Sequence, residues 1–325
     1  MPKRYKIESE EEKNILEDLF IEYGLGAKPF IKWAGGKGQL IRQFKKFYPK
    51  ELELGLIKRY IEPFVGGGSI FFDIAQNYKI EDAKLFDINP ELILLYKVVQ
   101  RDVSKLIEFL EKYSKEYLQL NDDNKRKYFY ELRDYYNKHR FEINYKSYSE
   151  LWIPRAAQTI FLNKTCFNGL FRVNSKGQFN VPYGDYKNPS FFSHENLLAV
   201  SKILEIADIR CEDFTKIAPY VSKNTFVYFD PPYRPISATS SFKSYSSNEF
   251  NDEHQIELGE FYRKLSKTGA KLMLSNSDPK NVNPKDSFFD DLYAGFQIYY
   301  VKASRMINSN GAKRGAINEI VVINY

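Results

Sequence analysis

Three consecutive glycines, Gly66, Gly67 and Gly68, break the chain between an apolar run and a helix-forming stretch. The run at residues 59–65, RYIEPFV, reads as a strand, and SIFFDIA after the glycines fits a helix. Residues 83–88, AKLFDI, read as a second strand carrying Asp87 at its end. Strand, glycine turn, helix and acid-ending strand open a doubly wound α/β unit. Glycines at such a turn let backbone approach a ligand, and the next helix offers free N–H groups to an anion. Asp87 follows Gly66 by 21 residues, the spacing of an acid that accepts hydrogen bonds from ribose hydroxyls. The pair implies a nucleoside-containing cofactor, against the alternative of a glycine turn with a surface aspartate.

The α/β pattern returns late in the chain. Residues 195–207 look helical, and Ile209–Glu212 and Thr225–Phe229 look like strands. The second of these runs into Asp230-Pro231-Pro232-Tyr233 at the carboxyl edge of the expected sheet, where α/β proteins bind ligands. Two prolines stiffen the turn. A carboxylate, a backbone carbonyl and an aromatic ring would then face one space. Those groups suit a flat base with an exocyclic amine; a proline-rich turn with a capping aspartate is the alternative. A helix at 252–267, a strand at 270–275 and a final pair near 296–304 and 316–324 complete the sheet.

The middle of the chain differs. Leu106, Phe109, Leu110, Tyr113 and Tyr117 recur at helical spacing, so residues 90–150 read as helices inserted into the α/β unit. Residues 165–190 are rich in Gly, Asn and aromatics and read as a loop or β-hairpin turning at Ser175-Lys176-Gly177. Of the net charge of +6, most lies here: residues 101–190 hold 16 Lys and Arg against 11 Asp and Glu. A phosphate footprint and a solvated helical surface both fit that excess.

Other classes are disfavoured. The two cysteines and three histidines form no metal-ligand or disulfide pattern, so no metal is expected. No apolar run approaches the roughly 18 residues of a membrane span. The N-terminus, MPKRYKIESEEEKN, is too charged for a signal peptide, so a cytoplasmic protein without a membrane partner is expected. Residues 8–23 read as an amphipathic helix closed by Gly24 and Gly26.

KWAGGK, IEPFVGGGSIFF, FDIN and FDPPY, in this order from Lys28 to the C-terminus, resemble the Dam-type, alpha-group DNA adenine-N6 methyltransferases of the D12 class. The resemblance implies a Rossmann-like methyltransferase sheet and an inserted, mainly helical DNA-recognition domain bearing a β-hairpin. The catalytic domain would comprise residues 1–90 and 193–325, and the recognition domain residues 91–192. S-adenosyl-L-methionine would be the methyl donor and S-adenosyl-L-homocysteine the product. Trp33, Lys37, Glu62, Pro63, Phe64, Gly66 and Gly68 would surround this cofactor, Asp87 would hold its ribose, and Asp213 and Phe214 would meet its adenine. Asp230, Pro231, Pro232 and Tyr233 would hold the target adenine, with Asp230 also bordering the cofactor. Trp33 could instead be a core aromatic.

FNGLFRVNSKGQFNVPYG, residues 167–184, resembles the hairpin by which Dam-type enzymes read GATC. Arg172 suits bidentate bonding to guanine, and Leu170 and Pro182 suit contact with a thymine methyl group. Asn168 could face the vacated base or simply form the turn, and Arg172 could meet a phosphate instead. Lys32 matches a family residue that contacts the first guanine. The loop 235–245 and the segment 303–314, near Lys302 and carrying Arg305, Lys313 and Arg314, also resemble family segments. Double-stranded DNA is therefore the expected partner and a monomer the expected state. A cognate restriction endonuclease acting on the same site, without a stable complex, and a role in repair or gene control both stay open. Another DNA sequence or RNA as substrate, a non-catalytic DNA-binding protein, and a nicotinamide dehydrogenase are the competing readings. The intact DPPY turn argues against the third, and GGG in place of GxGxxG against the last.

Overall fold

The computed structural model describes residues 26–187, 189–234, 250–304 and 316–325. The helix expected over 8–23, the loop 235–245 and most of the segment 303–314, with Arg305, Lys313 and Arg314, lie outside the described residues.

Seven strands form one sheet: β1 (Arg59–Glu62), β2 (Asp82–Asp87), β3 (Ala207–Cys211), β4 (Thr225–Phe229), β5 (Lys271–Ser277), β6 (Gln297–Ser304) and β7 (Ala316–Ile323). Their order is β3-β2-β1-β4-β5-β7-β6. The first five strands run parallel, and β7 lies antiparallel to both β5 and β6. The first strand stops at Glu62, short of the run to Val65 that the sequence suggests. Pro63 has no N–H to give a neighbouring strand, and Val65 N–H instead donates to Phe86 O at 2.9 Å.

Alternate strand residues enter two cores. Tyr60, Leu85, Phe226, Tyr228 and Met273 face one side, while Ile61, Phe86, Val227, Phe229 and Leu272 face the other. Burial on both faces explains why TFVYF is a continuous apolar run rather than an alternating one.

Seven α-helices of five residues or more accompany the sheet among the described residues: α1 (Ser69–Asn77), α2 (Pro90–Leu118), α3 (Asp122–Lys138), α4 (Trp152–Thr165), α5 (His194–Leu204), α6 (Asp252–Ser266) and α7 (Phe288–Leu292). Asn89 starts α2: its side chain accepts from the Glu91 and Leu92 amides, and Pro90 follows at the first helical position. A break at Asp102, with φ −136° and ψ 41°, divides α2. Leu92 to Leu110 of α2 and Trp152 to Ile160 of α4 share the main core with the sheet. Phe129 and Tyr136 of α3 join Leu162, Phe179 and Val181 in a smaller core beneath the loop 166–187. That loop turns at Asn174–Gly177, where Gly177 N–H donates to Asn174 O at 2.8 Å. Its arms meet in isolated bridges, Cys166 with Tyr183 and Val173 with Phe179, rather than in a continuous ladder.

Candidate functional site

Strand β1 has β2 on one side and β4 on the other. The direction in which successive strands are added therefore reverses at the β1–β4 pair, which opens a crevice at their carboxyl ends. Glu62 ends β1 there, Asp87 ends β2, and Asp230 follows β4 directly. The two motif turns, distant in sequence, are neighbours because of this reversal.

Asp230 is held from two sides. Lys37 Nζ lies 2.7 Å from Oδ2, and Ser275 Oγ donates to Oδ1 at 3.1 Å. Tyr228 Oη and Ser275 Oγ are 2.7 Å apart, which extends the network into the sheet. Lys37 also donates to Gly35 O at 2.7 Å. Burial raises the Asp230 carboxyl above the ordinary aspartate range, while the Lys37 charge and the bonds from Lys37 and Ser275 oppose the rise. Glu62 is buried beside this group and accepts from Tyr60 Oη at 2.7 Å. Burial pushes its carboxyl well up, and the negative charge of Asp230 adds to the effect. Two carboxyls and one ammonium thus share a water-poor space.

The DPPY turn is equally fixed. Tyr233 Oη donates to Glu319 Oε2 at 2.6 Å, and Lys37 Nζ stands 4.7 Å from the Tyr233 ring centroid. Gln255 Nε2 donates to Pro232 O at 3.0 Å. Pro231 is buried and Pro232 exposed. Gln255, Ser275 and Glu319 have no motif signal in the sequence; pairing of β4, β5 and β7 brings Ser275 and Glu319 here, and α6 carries Gln255.

The glycine turn closes tightly on its surroundings. Gly66 and Gly68 have φ of 47° and 70°, in the left-handed region that favours glycine. A Cβ at Gly68 would sit 2.5 Å from Tyr96 Oη, and one at Gly66 would sit 3.1 Å from Trp33 Cδ1. Asp87 Oδ2 accepts from Gly66 N–H at 3.2 Å and Oδ1 from Asn89 N–H at 2.9 Å. Burial lifts the Asp87 carboxyl to about 6, against backbone hydrogen bonds that favour its charged form. Beside it Ile88 is 58% exposed, an apolar surface open to a ligand. Phe214 is buried and stacks on Phe64, with centroids 5.5 Å apart. Asp213 caps the turn after β3, accepting from the amide and hydroxyl of Thr215.

A profile of the D12 class N6 adenine-specific DNA methyltransferases matches residues 33–307, which contain the residues of this crevice from Trp33 to Ser275 but not Glu319. The chain belongs to this family. It is 51% identical over 299 residues to the type II methyltransferase M.MjaIII of Methanocaldococcus jannaschii, covering 92% of this chain and 99% of that protein. It is 36% identical over 303 residues to the type II methyltransferase M1.LlaDCHI of Lactococcus lactis, covering 93% and 96%. A DNA adenine methylase of Vibrio cholerae is 31% identical over 297 residues, covering 91% and 95%. Membership implies a methyl donor and a DNA substrate. Among the described residues no helix is long and apolar enough to cross a membrane.

The loop 166–187 carries most of the residues that the sequence resemblance assigns to DNA. Arg172 is exposed, and its Nε donates to Asn180 Oδ1 at 2.8 Å. That bond constrains the guanidinium plane. Asn168 has φ 58° and Gly169 φ 62°, so Asn168 forms the turn whatever else it does. Leu170 is half-buried, and Lys32 and Pro182 are exposed. Phe167, which no sequence argument singled out, is 53% exposed and donates its N–H to Pro182 O at 2.8 Å. A cleft of about 390 Å³ lies where α3 meets this loop, with Arg133, Lys138 and Arg140 facing Asn174, Gln178 and Asn180. It shares no lining residue with the Asp230 network, and Asp134 lines it beside these donors.

Proposed function

We propose that this enzyme transfers a methyl group from S-adenosyl-L-methionine to N6 of an adenine turned out of duplex DNA, within the sequence GATC. The observation that carries the reading is the Lys37–Asp230–Ser275 network at the head of the DPPY turn, opposite the glycine turn and Asp87.

The glycine turn and the acid fit the donor's two ends. Its ribose hydroxyls would donate to the lone pairs of Asp87 left over by Gly66 and Asn89. Ile88, Asp213 and Phe214 would border its adenine. Trp33, Glu62, Pro63, Phe64, Gly66 and Gly68 would surround the rest, with Lys37 between this ligand and Asp230. When bound, the donor supplies an electrophilic sulfonium methyl group.

This chain's own residues act on the adenine. Its N6 lone pair is delocalised into the ring and is a poor nucleophile. Asp230 carboxylate and Pro231 carbonyl would accept the two N6–H bonds and favour a more tetrahedral nitrogen, whose lone pair then points at the methyl group. Each oxygen of Asp230 keeps a lone pair for this despite its bonds to Lys37 and Ser275. Tyr233, with its hydroxyl fixed by Glu319, would present a ring face to the base. Most of the rate would come from alignment and fixed charge. The N6 of paired adenine is inaccessible, so the base must leave the stack. Phe167 and Pro182 form an apolar tip suited to a wedge beside the vacated position.

Specificity for GATC rests on the loop 167–184. Arg172 would bond guanine O6 and N7, Leu170 and Pro182 would touch a thymine methyl group, Asn168 would lie near the vacated base, and Lys32 would meet the first guanine. The deciding experiment supplies labelled S-adenosyl-L-methionine to two duplexes, one with GATC and one with its first guanine changed. Label at adenine N6 in GATC alone supports the reading. Label in both, or only in the altered duplex, overturns the assigned sequence.

Replacing Arg172 with Ala should cost about 1–3 kcal/mol of discrimination at one guanine, seen as kcat/KM ratios across single-base variants. A uniform loss on every sequence would make Arg172 a phosphate contact.

Donor affinity should follow the charge on Asp87. Hydroxyls bond more strongly to the ionised carboxylate, so binding favours the deprotonated form. Affinity should therefore rise with pH up to about 6, where this carboxyl titrates, and level off above. Below that it should fall by as much as about tenfold per pH unit. Calorimetric titration with S-adenosyl-L-homocysteine should show this profile, and Asp87→Asn should flatten it. A wild-type profile that stays flat would take Asp87 out of the contact.

A further inference from the structure

The two loops that meet DNA and donor in this reading are joined at one buried side chain. Asn163, near the C-terminal end of α4, is fully buried. Its Oδ1 accepts from Lys32 N–H at 3.0 Å, and its Nδ2 donates to Lys32 O at 3.0 Å. The same Nδ2 donates to Gly169 O at 2.9 Å. The amide thus acts as a strand neighbour to Lys32 and uses its other proton on the base-reading loop. Space is tight here: a Cβ at Gly169 would lie 2.6 Å from Lys32 Cδ.

A second contact runs in parallel. Trp33 stacks on Phe171 with ring centroids 5.3 Å apart and planes inclined by 21°. Its indole edge meets the glycine turn at Gly66. Four residues after Trp33 the same loop delivers Lys37 to Asp230. Residues 167–172 therefore cannot shift without loading the segment that holds the reacting carboxylate. Neither Asn163 nor Phe171 is among the residues assigned to the bases, the donor or the reacting carboxylate.

We propose that Asn163 is a positioning residue that couples base reading by the loop 167–172 to the placement of Lys37 and Asp230, so that a correct base step accelerates methyl transfer. The proposal rests on the reading of that loop as the base-reading element. The Trp33–Phe171 stack is the second limb of the same coupling. A purely structural Asn163 would hold the fold and scale all rates alike; a coupling Asn163 acts on the ratio between sequences.

The test uses the full chain and two variants. Asn163→Asp keeps size and one acceptor but sets a carboxylate oxygen against the carbonyls of Lys32 and Gly169. Phe171→Leu keeps an apolar side chain and removes the ring stack, so it carries the test if the first variant does not fold. Each protein is given unmethylated plasmid DNA under single-turnover conditions, and N6-methyladenine is mapped at every adenine. Binding of S-adenosyl-L-homocysteine without DNA and the melting temperature are measured alongside.

In the variants, the rate at the sites the wild type prefers should fall about 10- to 100-fold, while rates elsewhere stay within about threefold. Equal loss at all sites, or no loss in a folded variant, overturns the proposal. A wild-type map that peaks away from GATC would correct the assigned sequence and leave this test intact, because the wild-type map itself defines the preferred site.

Discussion

Asp230→Asn is expected to lower the methylation rate by about 10³-fold, or roughly 4 kcal/mol of barrier. The substitution keeps the shape of the turn and one acceptor oxygen. It removes the charge that strengthens the N6–H bond to residue 230 and that can receive the departing proton. Donor binding should change only a few-fold, because Asp87, Gly66 and the aromatic pair Phe64 and Phe214 stand apart from the exchanged atoms. The protein should also stay folded. Loss of the carboxylate leaves Lys37 buried without its partner, ordinarily a costly change. Here Glu62 lies alongside, its carboxyl held well up partly by the Asp230 charge. With that charge gone one contribution to the rise is lost while burial, the larger cause, remains, and Lys37 keeps its bond to Gly35 O at 2.7 Å. Single-turnover rates with a calorimetric donor titration check both halves. Near wild-type rates would end the assignment of Asp230 to the chemistry.

The same carboxylate sets the acid side of the pH profile. Protonated Asp230 cannot accept at both oxygens, so the rate should fall as pH drops through its titration, which burial places above the ordinary aspartate range. The Asn variant should lack that limb.

How much of this could be read from the chain depends on where each signal lives. The turns EPFVGGG and DPPY are local patterns after apolar strands, and the rule for carboxyl ends of parallel strands puts both at one edge. The neighbours that hold Asp230 are another matter. Ser275 is the first of three consecutive polar residues in the buried strand β5, and Glu319 sits in the largely apolar strand β7. Neither differs in sequence from a residue of ordinary solvent-facing register. Helix α4 is hidden for a related reason: Trp152 to Thr165 is buried on nearly every side, so no polar stripe reveals its period. The loop 166–187 was legible as a turn but not as an irregular one. Asparagine side chains replace much of its strand pairing, with Asn137 accepting from Phe179 N–H and donating to Phe179 O. Such bonds depend on α3 packing against the loop, which no local pattern encodes.

Arg155→Met is expected to destabilise the protein by about 3–5 kcal/mol, the cost of stranding one member of a buried ion pair. Arg155 is almost wholly buried in α4. Its Nε lies 3.1 and 3.2 Å from the two oxygens of Glu91, its Nη2 bonds Glu91 Oε1, and its Nη1 bonds Tyr136 O. Tyr145 Oη also donates to Glu91 Oε1, at 2.6 Å, and the Tyr136 ring lies 3.2 Å from the guanidinium carbon. Methionine fills much of the stem volume but satisfies none of these groups, so Glu91 is left charged and dehydrated. Replacing Glu91 with Leu in the same chain should recover part of the loss, because the stranded charge goes with it. The recovery should be incomplete, since Tyr145 Oη and Tyr136 O still lack their partners. Urea unfolding of the two single variants and the double variant measures the coupling directly. The effect should reach the donor site as well. Glu91 stands two residues beyond Asn89, whose amide bonds Asp87 and whose side chain starts α2. Loosening α4 from Glu91 frees the start of α2, so the Arg155 variant should bind S-adenosyl-L-homocysteine more weakly even at temperatures where it is fully folded. Unchanged binding there would confine the pair to stability alone.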